Sequence, residues 1–414
     1  MTGSTVGSDS LVGVAPASRI EVRHMLVRLI GLLVLIGLII GAYGLHDTPG
    51  HGARASLSLL IGAALGIVFQ RGRFCFFCIL RDFIEPQNGS RNSTGIYAIL
   101  TALAVGGIGY AVVFGAFLPN AFTGRLPPQA HIGPVSWVLV AAGLSFGIGM
   151  ALSGACISGH LYRLGEGYTR APFALFGALI GFGLGFLTWQ TVYLGAISNA
   201  PTAWLPATFG YGGSLAIHLA VLTVIAVALL RFLPKPVAND PQPITLARVW
   251  DRVINQRWNP LVTGGLVGVI GMIAYFRIEP LGVTSQIGSV TRTIMDGAGL
   301  LADRLNGLDT LAGCATQVVQ TITENGWLIG GLVLGSFGVV LLANRFKLSQ
   351  LTLKNSTTAI IGGVFMGWGS MLALGCTVGT LLSGISAFAV SGWVFAAAVF
   401  AGVWIGIKLR LHTS

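Results

Sequence analysis

Ten apolar stretches set the terms on which this chain can fold. They lie near residues 26–45, 55–70, 94–117, 135–153, 172–196, 214–232, 260–276, 327–343, 357–373 and 390–407. About 20 helical residues cross a hydrocarbon core, and lipid offers no water to an unpaired backbone group. A helix satisfies its own backbone, so these stretches are expected to span a bilayer, the shorter ones as half-helices or tilted segments. Only 9% of the 414 residues are charged, against 54% hydrophobic. So few charges cannot cover a soluble protein of this size. The 60 glycines suit close helix packing and broken helices.

The net charge of +11 does not call for nucleic acid. Lys and Arg cluster in alternate links: Arg19, Arg23 and Arg28; Arg71, Arg73, Arg81 and Arg91; Arg163 and Arg170; Arg231, Lys235, Arg248, Arg252 and Arg257; Arg345, Lys347 and Lys354; Lys408 and Arg410. The intervening links 118–134 and 197–213 carry almost none. That alternation predicts ten crossings of the lipid bilayer with both termini cytoplasmic. The same charges would draw anions to a pore mouth. No cleavage site closely follows the run Leu26–Leu45, so it is expected to be a retained first helix after a disordered cytoplasmic stretch, 1–25.

Two cysteine frames stand out, GIGMALSGACISGH (Gly147–His160) and GWGSMLALGCTVGT (Gly367–Thr380). A shift of 220 positions carries Cys156 onto Cys376. It also carries Gly143, Gly147, Gly149, Leu152 and Gly159 onto Gly363, Gly367, Gly369, Leu372 and Gly379. With five cysteines in the chain, the cysteine match is the telling one. An odd number of crossings separates the frames, so the halves would have opposite orientation. The expected fold is an all-α polytopic membrane protein. It would be an inverted repeat of about five helical segments per half, with broken or re-entrant helices meeting at a central pore. The expected halves are 26–213 and 214–414, with the linker 233–259 following the first helix of the second.

The stretches QRGRFCFFCILRDF (Gln70–Phe83), GIGMALSGACISGHLYRLGEG (Gly147–Gly167) and GWGSMLALGCTVGTLLSGISAFAVSGW (Gly367–Trp393) resemble the YeeE/YedE family of bacterial sulfur-compound transporters. The resemblance extends over most of the chain after residue 55. It implies an hourglass-shaped protein of the bacterial inner membrane that imports thiosulfate or a related small sulfur anion. It also implies a relay of three cysteines, here Cys75, Cys156 and Cys376. A cytoplasmic sulfurtransferase is a possible partner. Two features depart from that pattern: Cys78, which makes Cys75 part of a CxxC, and Cys314, in LAGCATQ.

The chemistry is consistent with this. A neutral thiol is a weak, polarizable donor, and a conducting site must release what it binds. The backbone of Gly159, Gly375 and Gly379 and the hydroxyls of Ser153, Ser158 and Thr377 are candidates to hold anion oxygens. Arg71 and Arg73, with Arg81, give Cys75 a cationic setting. His160 is a candidate proton relay, or a structural histidine. Buried packing is the competing account of every cysteine, Cys314 included. A membrane thiol-redox or sulfurtransferase enzyme using Cys75 and Cys78 is the alternative function. A lone CxxC without a second ligand pair does not make a metal site, no cofactor is expected, and no phosphate-binding loop is present. Arg81 and Asp82 are expected to point apart. Trp137, Trp189, Trp204, Trp327 and Trp393 are expected to anchor at the membrane interface.

Overall fold

The structure, a computed structural model, describes residues 19–50, 52–86, 91–234, 245–302, 304–308, 311 and 317–413. Its helices are α1 (Arg19–His46), α2 (Gly52–Gly72), α3 (Phe76–Ile84), α4 (Thr94–Phe117), α5 (Trp137–Ser153), α6 (Ile157–Glu166), α7 (Ala171–Val192), α8 (Pro206–Leu229), α9 (Leu246–Trp250), α10 (Pro260–Arg277), α11 (Ser285–Gly297), α12 (Glu324–Leu342), α13 (Leu353–Leu372), α14 (Gly384–Ser386) and α15 (Val390–Lys408). Among the described residues nine helical segments are long and apolar enough to cross a membrane. A tenth is a pair bent by 45°, α13 followed by the turn Thr377–Ser386. Each of the ten apolar stretches falls on one of these. The chain is an all-α polytopic membrane protein. Its first helix begins at Arg19 rather than near Leu26.

Two of the spans are interrupted. α5 stops at Ser153, where Gly154 takes a left-handed φ of 82°, and α6 restarts at Ile157 with Cys156 at its cap. α13 stops at Leu372, and Leu374 takes φ 55° before a wide helical turn, Thr377–Ser383, resumes after Cys376. A short non-helical link also separates α2 from α3, with Arg73 at φ 52° and Cys75 capping α3.

Glycines bring the helix backbones together. A Cβ on Gly62 or Gly66 of α2 would run into the carbonyl of Leu328 or Leu332 of α12, and one on Gly331 or Gly335 into that of Leu59 or Ala63. The pair α4–α10 meets in the same way at Gly264 and Ala98. Gly363 and Gly367 of α13 lie against Ala174 and Ala178 of α7, while Gly143 and Gly147 of α5 lie against Phe395 and Val399 of α15. Between α5 and α13, Gly149 faces the Gly362 carbonyl, Gly369 faces that of Ala142, and Ser145 Oγ donates to the Phe365 carbonyl at 2.9 Å.

The tryptophans divide. Trp137 is 69% exposed, as an interfacial anchor would be. Trp189 and Trp204 are buried and are not anchors. Their indole N–H groups donate to the carbonyls of Asn306 and Ala387 at 3.0 and 2.9 Å, which satisfies the polar edge inside the protein.

Candidate functional site

α2 and α12 fix two opposite ends of the molecule. Arg54 and Glu324, at their starts, line one cavity of about 260 Å³. Arg71 and Arg345, at their finish, line another of about 850 Å³, with Arg73, Glu166, Arg257 and Lys347. The second is the basic end and the first the far end. A smaller cavity of about 330 Å³, bounded by Cys78, Arg81, Tyr162 and Arg163, adjoins the basic one and shares Arg73, Glu166, Tyr168 and Arg257 with it.

Behind that smaller cavity three thiols gather. Cys75 at the start of α3 and Cys156 at the start of α6 are both fully buried, their sulfurs 3.9 Å apart and unbonded. Cys156 Sγ accepts from the Gly159 N–H at 3.4 Å and lies 3.3 Å from Ser158 Oγ. Cys78 follows within the first turn of α3, its thiol facing that of Cys75. Arg163 Nη2 donates to Cys78 Sγ at 2.9 Å, and Nη1 donates to the Gly154 carbonyl at 3.1 Å. Its guanidinium also lies over the rings of Tyr162 and Tyr168, at 6.0 and 5.2 Å. The cation in contact with a thiol is therefore Arg163, which the sequence placed only as a loop charge. Arg71 lines the large basic cavity, where its Nη2 donates to the Gln256 carbonyl at 2.7 Å, while Arg73 lines both that cavity and the smaller one. Arg81 and Asp82, expected to diverge, are bonded at 2.8 Å because the guanidinium folds back.

Cys376 is also fully buried, but its neighbours differ. Its thiol faces the Thr284 hydroxyl and the backbone N–H groups of Val378 and Gly379. Thr284 is 0% exposed and stands at the start of α11 without capping that helix by its side chain. Against the same turn lies His131. A Cβ on Gly379 would sit 2.7 Å from its ring, and one on Gly375 would sit 3.3 Å from Nδ1. His131 is 4% exposed, takes φ 51°, and lines the far-end cavity. Its Nδ1 has no hydrogen-bond partner, while the ring faces the Leu374 carbonyl. Burial pushes its pKa down to about 4, so the imidazole is neutral at pH 7. At the rim of that cavity burial, with help from the Glu324 charge and against that of Arg54, pushes the Glu279 carboxyl up to about 7.

The remaining candidates fall into place around these groups. Gly159 leaves room for the facing thiol, since a Cβ there would lie 2.8 Å from Cys75 Sγ. Ser153 Oγ donates to the Ala155 carbonyl at 3.0 Å and braces the break. Thr377 Oγ1 and His160 Nε2 are buried without partners. Cys314 lies outside the described residues. Thr284, His131 and Arg163 escaped sequence reasoning. His131 had one available signal: it is the histidine of the link PPQAHIGP between two spans.

Chemically, the two broken helices offer buried weak donors with cavities on either side. Sulfur is dominant near the basic end, and oxygen and nitrogen near the far end. Among the described residues no three His, Cys, Asp or Glu side chains are grouped to hold a metal ion.

The sequence matches a transport family and proteins named as transporters. The family model described as sulphur transport matches residues 71–405. The chain is 28% identical over 358 residues to a protein of Escherichia coli K12 named thiosulfate transporter TsuA, covering 84% of this chain and 92% of that one. A protein of the same name from Spirochaeta thermophila is 26% identical over 363 residues, covering 84% and 96%. A probable transporter YedE from Salmonella typhimurium is 28% identical over 197 residues, covering 47% and 45%. The family match runs from the arginines before Cys75 to the last spanning helix, and the chain belongs to the sulphur transport family.

Proposed function

We propose that the chain imports thiosulfate, or a closely related small sulfur anion, along a path marked by Cys376, Cys156 and Cys75. Family membership makes it a transporter rather than a thiol-redox enzyme. The observation that carries the path is the buried Cys75–Cys156 contact at 3.9 Å, held on two helix starts behind a cavity bounded by Arg163 and Cys78. Helix starts present free N–H groups and positive potential to an anion. Thiols give soft, weak contacts that a moving sulfur anion can leave. The basic cavity then receives the anion by its field. In this account the basic end faces the cytoplasm of a bacterial inner membrane, both termini lie on that side, and a soluble sulfurtransferase is the partner that consumes the product.

An inverted repeat underlies the path. Its support is the exchange of contacts under the 220-residue shift: Gly149 meets Gly362 as Gly369 meets Ala142, and Ser145 meets its own counterpart Phe365. The packing of α15 on α5 and of α7 on α13 follows the same exchange.

Uptake of radiolabelled thiosulfate by cells lacking other routes tests the function. Cys156→Ala and Cys376→Ala are expected to abolish uptake while the purified variants keep the parent's elution profile and melting temperature. Parental uptake by both variants would sink the cysteine path. Absence of uptake by the parent would sink the substrate.

A further inference from the structure

The two broken helices are built alike around different atoms. At one, Cys156 is met by Cys75, which starts α3. At the other, Cys376 is met by Thr284, which starts α11. Gly159 and Gly379, coincident under the 220-residue shift, each leave room for an incoming group. For Gly159 that group is the Cys75 sulfur, and for Gly379 the His131 ring. The first station therefore holds thiols beside a guanidinium. The second holds a hydroxyl, an imidazole and backbone N–H groups around a single thiol.

We infer that the stations divide the substrate between them: Thr284, His131 and the turn after Cys376 hold the oxyanion end, and Cys75 with Cys156 selects the sulfur end. This rests on the proposed transport of thiosulfate. Thiosulfate has one soft terminal sulfur and three oxygens that share its charge. Hydroxyl, imidazole and amide hydrogens suit the oxygens, because hydrogen bonds to charged acceptors are the strong ones. Thr284 Oγ1 is not used to cap its own helix, and a helix start carries positive potential that favours a bound anion. The unpartnered, buried Nδ1 of His131 is the second donor position, and its ring borders the far-end cavity. The imidazole proton can go to the Leu374 carbonyl or to a ligand at Nδ1.

Sulfate has the oxygens without the sulfur. It is thus expected to occupy the Thr284 station and block thiosulfate, yet not to be carried past the thiols. The test is initial-rate uptake of labelled thiosulfate by proteoliposomes of the full chain, with and without excess sulfate, beside uptake of labelled sulfate. The parent should be inhibited competitively by sulfate and should take up none. Thr284→Val should raise the thiosulfate KM roughly tenfold or more, the loss expected of one hydrogen bond to a charged group, and should weaken sulfate inhibition in step. Thr284→Ser should stay within about twofold of the parent, since it keeps the hydroxyl. Thr284→Cys, which copies the first station, should transport thiosulfate with little sulfate inhibition.

A folded Thr284→Val with the parent's KM, or a parent insensitive to sulfate, overturns the inference. Should the valine variant not fold, undiminished sulfate inhibition of Thr284→Cys overturns it equally. A parent that takes up no thiosulfate at all overturns the transport reading instead, which keeps the two failures apart.

Discussion

Arg163 and Cys78 are 85 positions apart in sequence and 2.9 Å apart in space. No local pattern announces such a contact. The cysteines themselves were legible, because a thiol in a glycine-rich frame, repeated once, is conspicuous. Their neighbours Thr284, His131 and Arg163 were not, because each meets its thiol or turn from a part of the chain far away in sequence. Glu279 is another residue of this kind, and it supplies a pH dependence. Its raised pKa of about 7 leaves the carboxyl largely neutral at pH 6 and charged at pH 8, beside Arg54 and Glu324. A new negative charge at the far-end cavity opposes an entering anion. The thiosulfate KM should therefore rise as external pH goes from 6 to 8, by up to about tenfold if the charged form excludes the anion. Glu279→Gln should flatten the profile at the low-pH value. Uptake kinetics across that range are the check, and a variant retaining the parent's slope refutes the role given to Glu279.

At the scale of elements, hydropathy found the spans because lipid demands continuous apolar helix. It missed α11 because Ser285, Thr291 and Thr293 make that helix half polar. The helix lies against α7, with Thr291 Oγ1 reaching the Leu179 carbonyl at 3.4 Å. The glycine content forecast close packing but could not say which glycines carry it. The structure separates them: Gly66 faces the α12 backbone, whereas a Cβ on Gly37 of α1 would touch nothing. Gly66→Val is expected to destabilise by about 1–3 kcal/mol through overpacking, lowering the melting temperature in detergent. Gly37→Ala is expected to be neutral, or stabilising by roughly 0.5–1 kcal/mol, since alanine is the better helix former. Equal melting temperatures for the two variants would contradict the packing account.

At the scale of the whole molecule, the proposed orientation is open to direct labelling. A membrane-impermeant thiol reagent should modify Gln129→Cys, in the far-end cavity, in intact cells. It should modify Gln350→Cys, in the basic cavity, only after permeabilisation. The reverse pattern would turn the protein over. The interleaved packing has a mechanical consequence whichever way the protein faces. Helices from before residue 200 lock backbone to backbone with helices from after it, α2 with α12, α4 with α10, α5 with α15 and α7 with α13. A body joined in this way has no shear plane along which one half could slide past the other. Large rocking motions would have to tear open contacts in which two main chains touch. The compliant parts are the two broken helices, where Gly154 and Leu374 already interrupt the regular backbone. Transit would then depend on small movements of two hinged loops inside a rigid shell, closer to a valve than to a rocker.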